Sequence, residues 1–284
     1  MHWLALTFIS ILSRSIYGVM TKVLSNKMKV SAYTQATLLL LAGAVLSILA
    51  SPLLGGLNID FGGVSITAVI LVVLGQGLGN IVYFSAIKNL TNGTAQIAFS
   101  SILIFNTVLA LLFLDLSLTW INIIGVFLLT VAVLSVAAGK FEINKKGISL
   151  MVLAAFLFAI FQLASSELSK QVGASMYLLI AYLGSAGVVF VYKWRMIVED
   201  LSKTQIKSII GIPALTALPS VGNFLFAYYA YRSAPESAKV AMLLTSQVVL
   251  TVILSYIFLH EKGQLLRKIV AAILVVASAV LIKG

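Results

Sequence analysis

Stretches of about twenty apolar residues, each long enough to cross the ~30 Å hydrocarbon core of a bilayer as a helix, follow one another along almost the whole chain. Set apart by short polar breaks, they predict helices at Trp3 to Leu24, Ser31 to Leu53, Val64 to Ile87, Thr94 to Leu114 and Thr119 to Ala138. Five more are predicted at Gly147 to Ser169, Ala174 to Trp194, Ser208 to Tyr231, Ser237 to Leu259 and Leu265 to Ile282. Ten spans in 284 residues leave little chain for a soluble domain. Only 10% of the residues are charged, against about 25% in a globular protein. The expected fold class is therefore all-α and integral to a membrane. The first run does not read as a secretory signal, because no Lys or Arg precedes it, Arg14 splits it and no small-residue cleavage site follows. With no cysteine there are no disulfides, thiolate metal sites or cysteine nucleophiles.

The formal charge of +11 belongs to loops facing the cytoplasm rather than to a nucleic-acid face, since basic residues near span ends tend to stay cytoplasmic. Ten spans put both termini on one side. On the other side fall Lys22, Lys27, Lys29, Lys88, Lys140, Lys145, Lys146, Lys193, Arg195, Lys203, Lys207, Lys262, Arg267 and Lys268, which is 14. Lys170, Arg232, Lys239 and Lys283 make only 4 on the termini side. The asymmetry predicts that both termini face outward, most simply from a cell membrane.

Sliding the chain on itself by about 144 residues superposes its halves. Leu24-Ser25 falls on Leu168-Ser169, Tyr33 on Tyr177 and Ala42-Gly43 on Ala186-Gly187. Gly79-Asn80 falls on Gly222-Asn223, Ala95 on Ala238, and Phe113-Leu114 on Phe258-Leu259. The common order of these matches predicts a duplicated five-helix unit, residues 1–139 and 140–284. Five being odd, the second unit crosses the membrane in the opposite sense. Inverted repeats of this kind characterise secondary transporters with a site between the halves.

In this respect the chain resembles the drug/metabolite transporter superfamily, specifically its ten-helix EamA-type members. The resemblance spans the whole chain. Phe258-Leu259-His260-Glu261 before the last helix looks like the family's Leu-Gly-Glu signature, and Phe113-Leu114-Asp115 is a partial counterpart with the acid shortened and displaced. The resemblance implies transport of small metabolites, among which amino acids, sugar conjugates, purines and quaternary amines are represented. It also implies cytoplasmic termini, against the charge asymmetry, which is taken to decide for this chain.

Polar side chains inside spans need a partner or a wet cavity. Arg14 lies about 16 Å along the first helix at 1.5 Å per residue, too deep to snorkel easily. Ser10, Tyr17, Gly18 and Thr21 share its face. Two readings stay open: a structural arginine, or a contact for a substrate carboxylate or phosphate that matches its forked donors. Gln76, Asn80 and Tyr83 share a face of the third span, Asn223 is the repeat-mate of Asn80, and Gln162 edges a polar stripe on the sixth span. These too read either as interhelical glue or as cavity lining. Gly75 and Gly79, with Pro213 and Pro219, are candidate gating or kink positions, although Gly75 and Gly79 also have the spacing of tight helix packing. Tyr17, Tyr83 and Phe161 suit a cation, but Arg14 would repel one that carries no anionic group. A zwitterion satisfies both.

The acids Asp60, Asp115, Glu142, Glu199, Asp200, Glu236 and Glu261 lie in or beside loops, and only Glu167 sits inside a span, near its end and three residues from Lys170. His2 and His260 are at chain or span ends. No catalytic constellation, metal cluster or cofactor motif is expected, nor an enzyme. The expected function is secondary transport of a small polar or zwitterionic, carboxylate-bearing, amino-acid-like metabolite by alternating access. The alternatives are a quaternary amine or drug-like cation held by aromatic rings, and, in another class, a channel or membrane scaffold. The expected partners are a small-molecule substrate and the lipid bilayer, with a homodimer compatible and nucleic acid excluded.

Overall fold

The computed structural model describes residues 2–57, 63–113, 119–137, 144–234, 240, 243–244 and 246–283. Its first three helices are α1 (Trp3–Lys27), α2 (Ala32–Ala50), prolonged by a 3-10 turn at Ser51–Leu54, and α3 (Ile66–Ile87). The fourth span is broken into α4 (Asn92–Phe99) and α5 (Ile102–Phe113), and α6 (Trp120–Ala137) completes the first half. The second half holds α7 (Lys145–Gln171), α8 (Ala174–Leu179), a π-helical turn at Ile180–Gly184, α9 (Ser185–Ser202) and α10 (Ile206–Ser233). It closes with α11 (Gln247–Phe258) and α12 (Leu265–Lys283). Among the described residues eight helical stretches are long and apolar enough to cross a membrane, and α6 and α11 are shorter apolar helices. The fold is a ten-helix membrane bundle of two repeats, with Leu49, Ile66, Phe127 and Leu218 among the large apolar side chains left on its outer surface.

Local chemistry sets the helix starts. Ser31 accepts from the Thr34 amide at 3.2 Å, Ser65 from Ala68 at 3.2 Å and Asn144 from Gly147 at 2.9 Å, each satisfying one of the donors orphaned at a helix N-terminus. The expected single helix from Thr94 to Leu114 is corrected to two pieces parted at Ser100 and Ser101, where serines compete for backbone hydrogen bonds; the Ser100 hydroxyl donates to the Gln96 carbonyl at 2.9 Å. The seventh span, expected to end at Trp194, runs on to Ser202 through a non-helical Lys193 (φ −138°, ψ 37°). Only part of the ninth expected span is described, since residues 235–239, 241–242 and 245 fall outside.

Glycine decides which helices touch. A Cβ on Gly75 would lie 3.0 Å from the Phe161 amide nitrogen and 3.1 Å from the Leu157 carbonyl, so α3 and α7 meet backbone to backbone. Gly125 does the same for α6 against α12, where the Ser278 carbonyl would stand 2.9 Å from an added Cβ. Under the repeat, α3 with α7 is equivalent to α10 with α1, and both pairs join one half to the other.

At the bundle end away from the termini, polar groups tie the helix ends together. Lys22 donates to the carbonyls of Ile87 and Leu90 at 2.7 and 2.6 Å, and Lys88 to Val30 at 2.6 Å. Asp200, at the end of α9, accepts from the Ser31 amide at 2.9 Å and the Thr34 hydroxyl at 2.5 Å. Glu261 caps α4, its two oxygens accepting from the amides of Asn92 at 2.6 Å and Gly93 at 3.1 Å, while Lys268 stands 4.0 Å away and donates to Thr91 Oγ1 at 2.9 Å. His260 and Gln264 on either side of Glu261 adopt φ of 54° and 53°, values uncommon outside glycine. The signature acid thus joins the second half to the first; Asp115, its partial counterpart, lies outside the described residues.

Candidate transport cavity

Between the halves lies a cavity with an open mouth. Arg14 and Tyr17 reach it from α1, and Gln76, Asn80 and Tyr83 from α3. Gln162 on α7 and Asn223 on α10 complete the candidate set, so all seven residues line one space. Arg14 has no carboxylate partner among the described residues, where Glu167, Glu199, Asp200 and Glu261 are all engaged elsewhere. Glu167 lies on an exposed helix end, 3.7 Å from Lys170, a pair worth little.

Neighbouring hydrogen bonds fix how several amides point. Asn223 Oδ1 accepts from the Ser10 hydroxyl at 3.0 Å, which leaves its Nδ2 donor for the cavity. Gln162 Oε1 accepts from Asn106 at 2.9 Å, which likewise leaves an N–H₂ group. Asn80 points the other way, its Nδ2 donating to the Gln76 main-chain carbonyl at 2.8 Å. Ser10 and Thr21, on the Arg14 face, are fully buried as the polar stripe predicts.

The four gating or kink candidates are not cavity lining. Gly75 and Gly79 sit in a continuous α3, Gly79 with the Phe158 ring 3.0 Å from where a Cβ would be, so their local effect is close packing rather than a break. Pro213 and Pro219 lie inside α10, which is helical from Ile206 to Ser233. Each removes one ladder donor without ending the helix.

Other lining residues escape a reading of the sequence. Gln96 donates to the Tyr83 hydroxyl at 2.8 Å, and Gln247 enters from the start of α11. Both are lone amides in apolar spans, the same signal that selects Gln76 and Gln162. Tyr182 has no such signal. It stands in the π-helical turn, fully buried, its hydroxyl 2.7 Å from Ser220 Oγ and its ring filling the space that a side chain at Gly43 would need. Edge-to-face contacts link Phe99, Phe158, Phe161, Phe224 and Tyr182, with centroids 5.5 to 6.1 Å apart, into an aromatic lining.

No curated protein sequence matches the chain. A solved structure, described only as the crystal structure of a protein, superposes with a TM-score of 0.69 over 98% of this chain and 97% of its own; at 16% identity it attests the fold alone. The sequence profile of the EamA-like transporter family matches residues 1–138 and again 145–283. The chain therefore belongs to the EamA-like transporter family, non-enzymatic integral membrane transporters of the drug/metabolite type.

Proposed function

We propose that the protein is a carrier for a small polar or zwitterionic metabolite bearing a carboxylate, moved by alternating access between the two halves. The observation that carries this reading is Arg14, a guanidinium on the cavity wall with no carboxylate paired to it among the described residues. An ion so placed is costly unless an anion or water completes its shell. The aromatic lining favours a second reading, a quaternary amine, against which the charge of Arg14 acts.

Proteoliposomes loaded with an unlabelled mixture of the proteinogenic amino acids should accelerate uptake of the same mixture in radiolabelled form. Flux that neither saturates nor responds to the internal pool would mean a channel, and no flux in folded protein would mean a scaffold. Labelled choline taken up in preference to amino acids would favour the second reading.

Placement in the cell membrane with both termini outside belongs to the same proposal. Single cysteines at Asn144 and Gly284 in this cysteine-free chain, treated with an impermeant thiol reagent on intact cells, should react at Gly284 and be spared at Asn144. The opposite pattern reverses the orientation.

A further inference from the structure

Among the described glycines, Gly43 on α2 has the closest neighbour. A Cβ added there would overlap Cδ1 of the Tyr182 ring and stand 2.5 Å from its Cε1 and 2.9 Å from its Cγ. The far side of that ring belongs to the cavity wall. Its hydroxyl lies 2.7 Å from Ser220 Oγ and its centroid 5.6 Å from that of Phe224, and both of those residues line the cavity with Tyr182 itself. The backbone that carries the ring is pinned against α3. A Cβ on Gly184 would stand 2.6 Å from Val73 Cγ2, and the Ser185 hydroxyl donates to the Val73 carbonyl at 3.0 Å.

Only one half has this arrangement. At the offset of about 144 residues, Leu38 stands in the regular helix α2 where the second half has Tyr182 in a π-helical turn. Gly187 is the repeat-mate of Gly43, and an added Cβ there would meet nothing within 4 Å among the described residues.

We propose that Gly43 is a specificity-determining position: by taking in the Tyr182 ring it keeps that ring out of the cavity, and so sets the largest substrate that the cavity admits. With a Cβ at 43 the ring must retreat by about 1 Å to reach ordinary contact. The contacts with Val73 stop the backbone of the π-helical turn from following, and α2 is itself closely packed, with Leu39, Leu40 and Ala44 buried. Interiors packed to this density transmit a displacement rather than absorb it. What yields is the single hydrogen bond to Ser220, and the ring turns toward Phe224 and the open space. The assignment concerns size alone and does not depend on the charge of the substrate.

The test needs no substrate. In this cysteine-free chain, Gln162→Cys places a single thiol on the cavity wall. Its rates of reaction with benzyl and methyl methanethiosulfonate in detergent compare the reach of a bulky and a small reagent. Adding Gly43→Ala should lower the benzyl-to-methyl rate ratio by about tenfold, the scale on which an apolar pocket discriminates one added carbon. Adding Tyr182→Leu to that variant should restore the ratio. An unchanged ratio in folded Gly43→Ala would mean that the ring finds room elsewhere, and equal slowing of both reagents that α2 shifts as a whole; either overturns the proposal. If even the methyl reagent does not reach the cysteine, there is no open space for the ring to narrow and the assignment falls. Should Gly43→Ala not fold, Tyr182→Leu alone decides: the ratio should rise several-fold as the wall recedes, and no rise overturns the proposal.

Discussion

Replacing Glu261 with alanine should destabilise the protein by about 3 kcal/mol, the low end of what breaking a buried ion pair costs. The carboxylate accepts two amide donors from the first turn of α4, which without it point at nothing, and it faces Lys268, whose side chain is 4% exposed against 10% for the acid itself. The low end is apt because Lys268 keeps its bond to Thr91. Glu261→Gln keeps the shape and one acceptor but loses the charge, so its cost should be smaller. In Glu261→Ala combined with Lys268→Met, both members of the pair are removed together, and the double variant should be more stable than the sum of the single losses allows. Thermal unfolding in detergent of the four proteins checks this. Strict additivity of the two single effects would mean that acid and lysine do not act as a pair.

Arg14→Gln should weaken binding of a carboxylate-bearing ligand by roughly ten- to a hundredfold, or 1.5 to 3 kcal/mol, the worth of a hydrogen bond to a charged group. Arg14→Lys keeps the charge but loses the planar fork and should fall between. For a ligand such as L-leucine, the neutral leucinamide should bind the parent less well, and this penalty should largely disappear in the glutamine variant. Stability gives an independent check. A structural arginine leaves a hole in its network when removed, whereas an arginine waiting for a substrate anion burdens the empty protein, so Arg14→Gln should melt no lower than the parent. If acid and amide bind the parent equally and the glutamine variant melts lower, Arg14 is structural.

The parts of the molecule that could be read from sequence are those that hydrocarbon itself imposes. A span must be apolar and about twenty residues long, so the bundle is written in hydropathy. A charged or amide side chain in such a span is rare enough to notice, which is why Arg14, Gln76, Asn80, Gln162 and Asn223 stand out, and the last also has a repeat-mate. Tyr182 illustrates what stays hidden. An aromatic residue in an apolar span is ordinary, and only the fold reveals that Gly43 clears a place for its ring and Ser220 meets its hydroxyl. The break between α4 and α5 is hidden for a similar reason, because serine is tolerated in membrane helices and the neighbours decide whether the ladder continues there. The role of Glu261 needs both halves at once: its partners at Asn92 and Gly93 are more than 160 residues away.

The two seams between the halves are not alike, although the repeat relates them. At one, α3 and α7 have backbone in contact at Gly75, and the Phe158 ring presses on Gly79. At the other, the repeat-mate of Gly79 is Gly222, where an added Cβ would meet nothing closer than Ser13 Oγ at 3.5 Å. Close-packed surfaces resist separation, since prising them apart forfeits dispersion contacts with nothing to replace them. On the alternating access proposed above, a relative rotation of the halves would keep the α3–α7 seam closed as a pivot and take up the displacement along α1 and α10, carrying Arg14 and Asn223 further than Gln76 and Asn80.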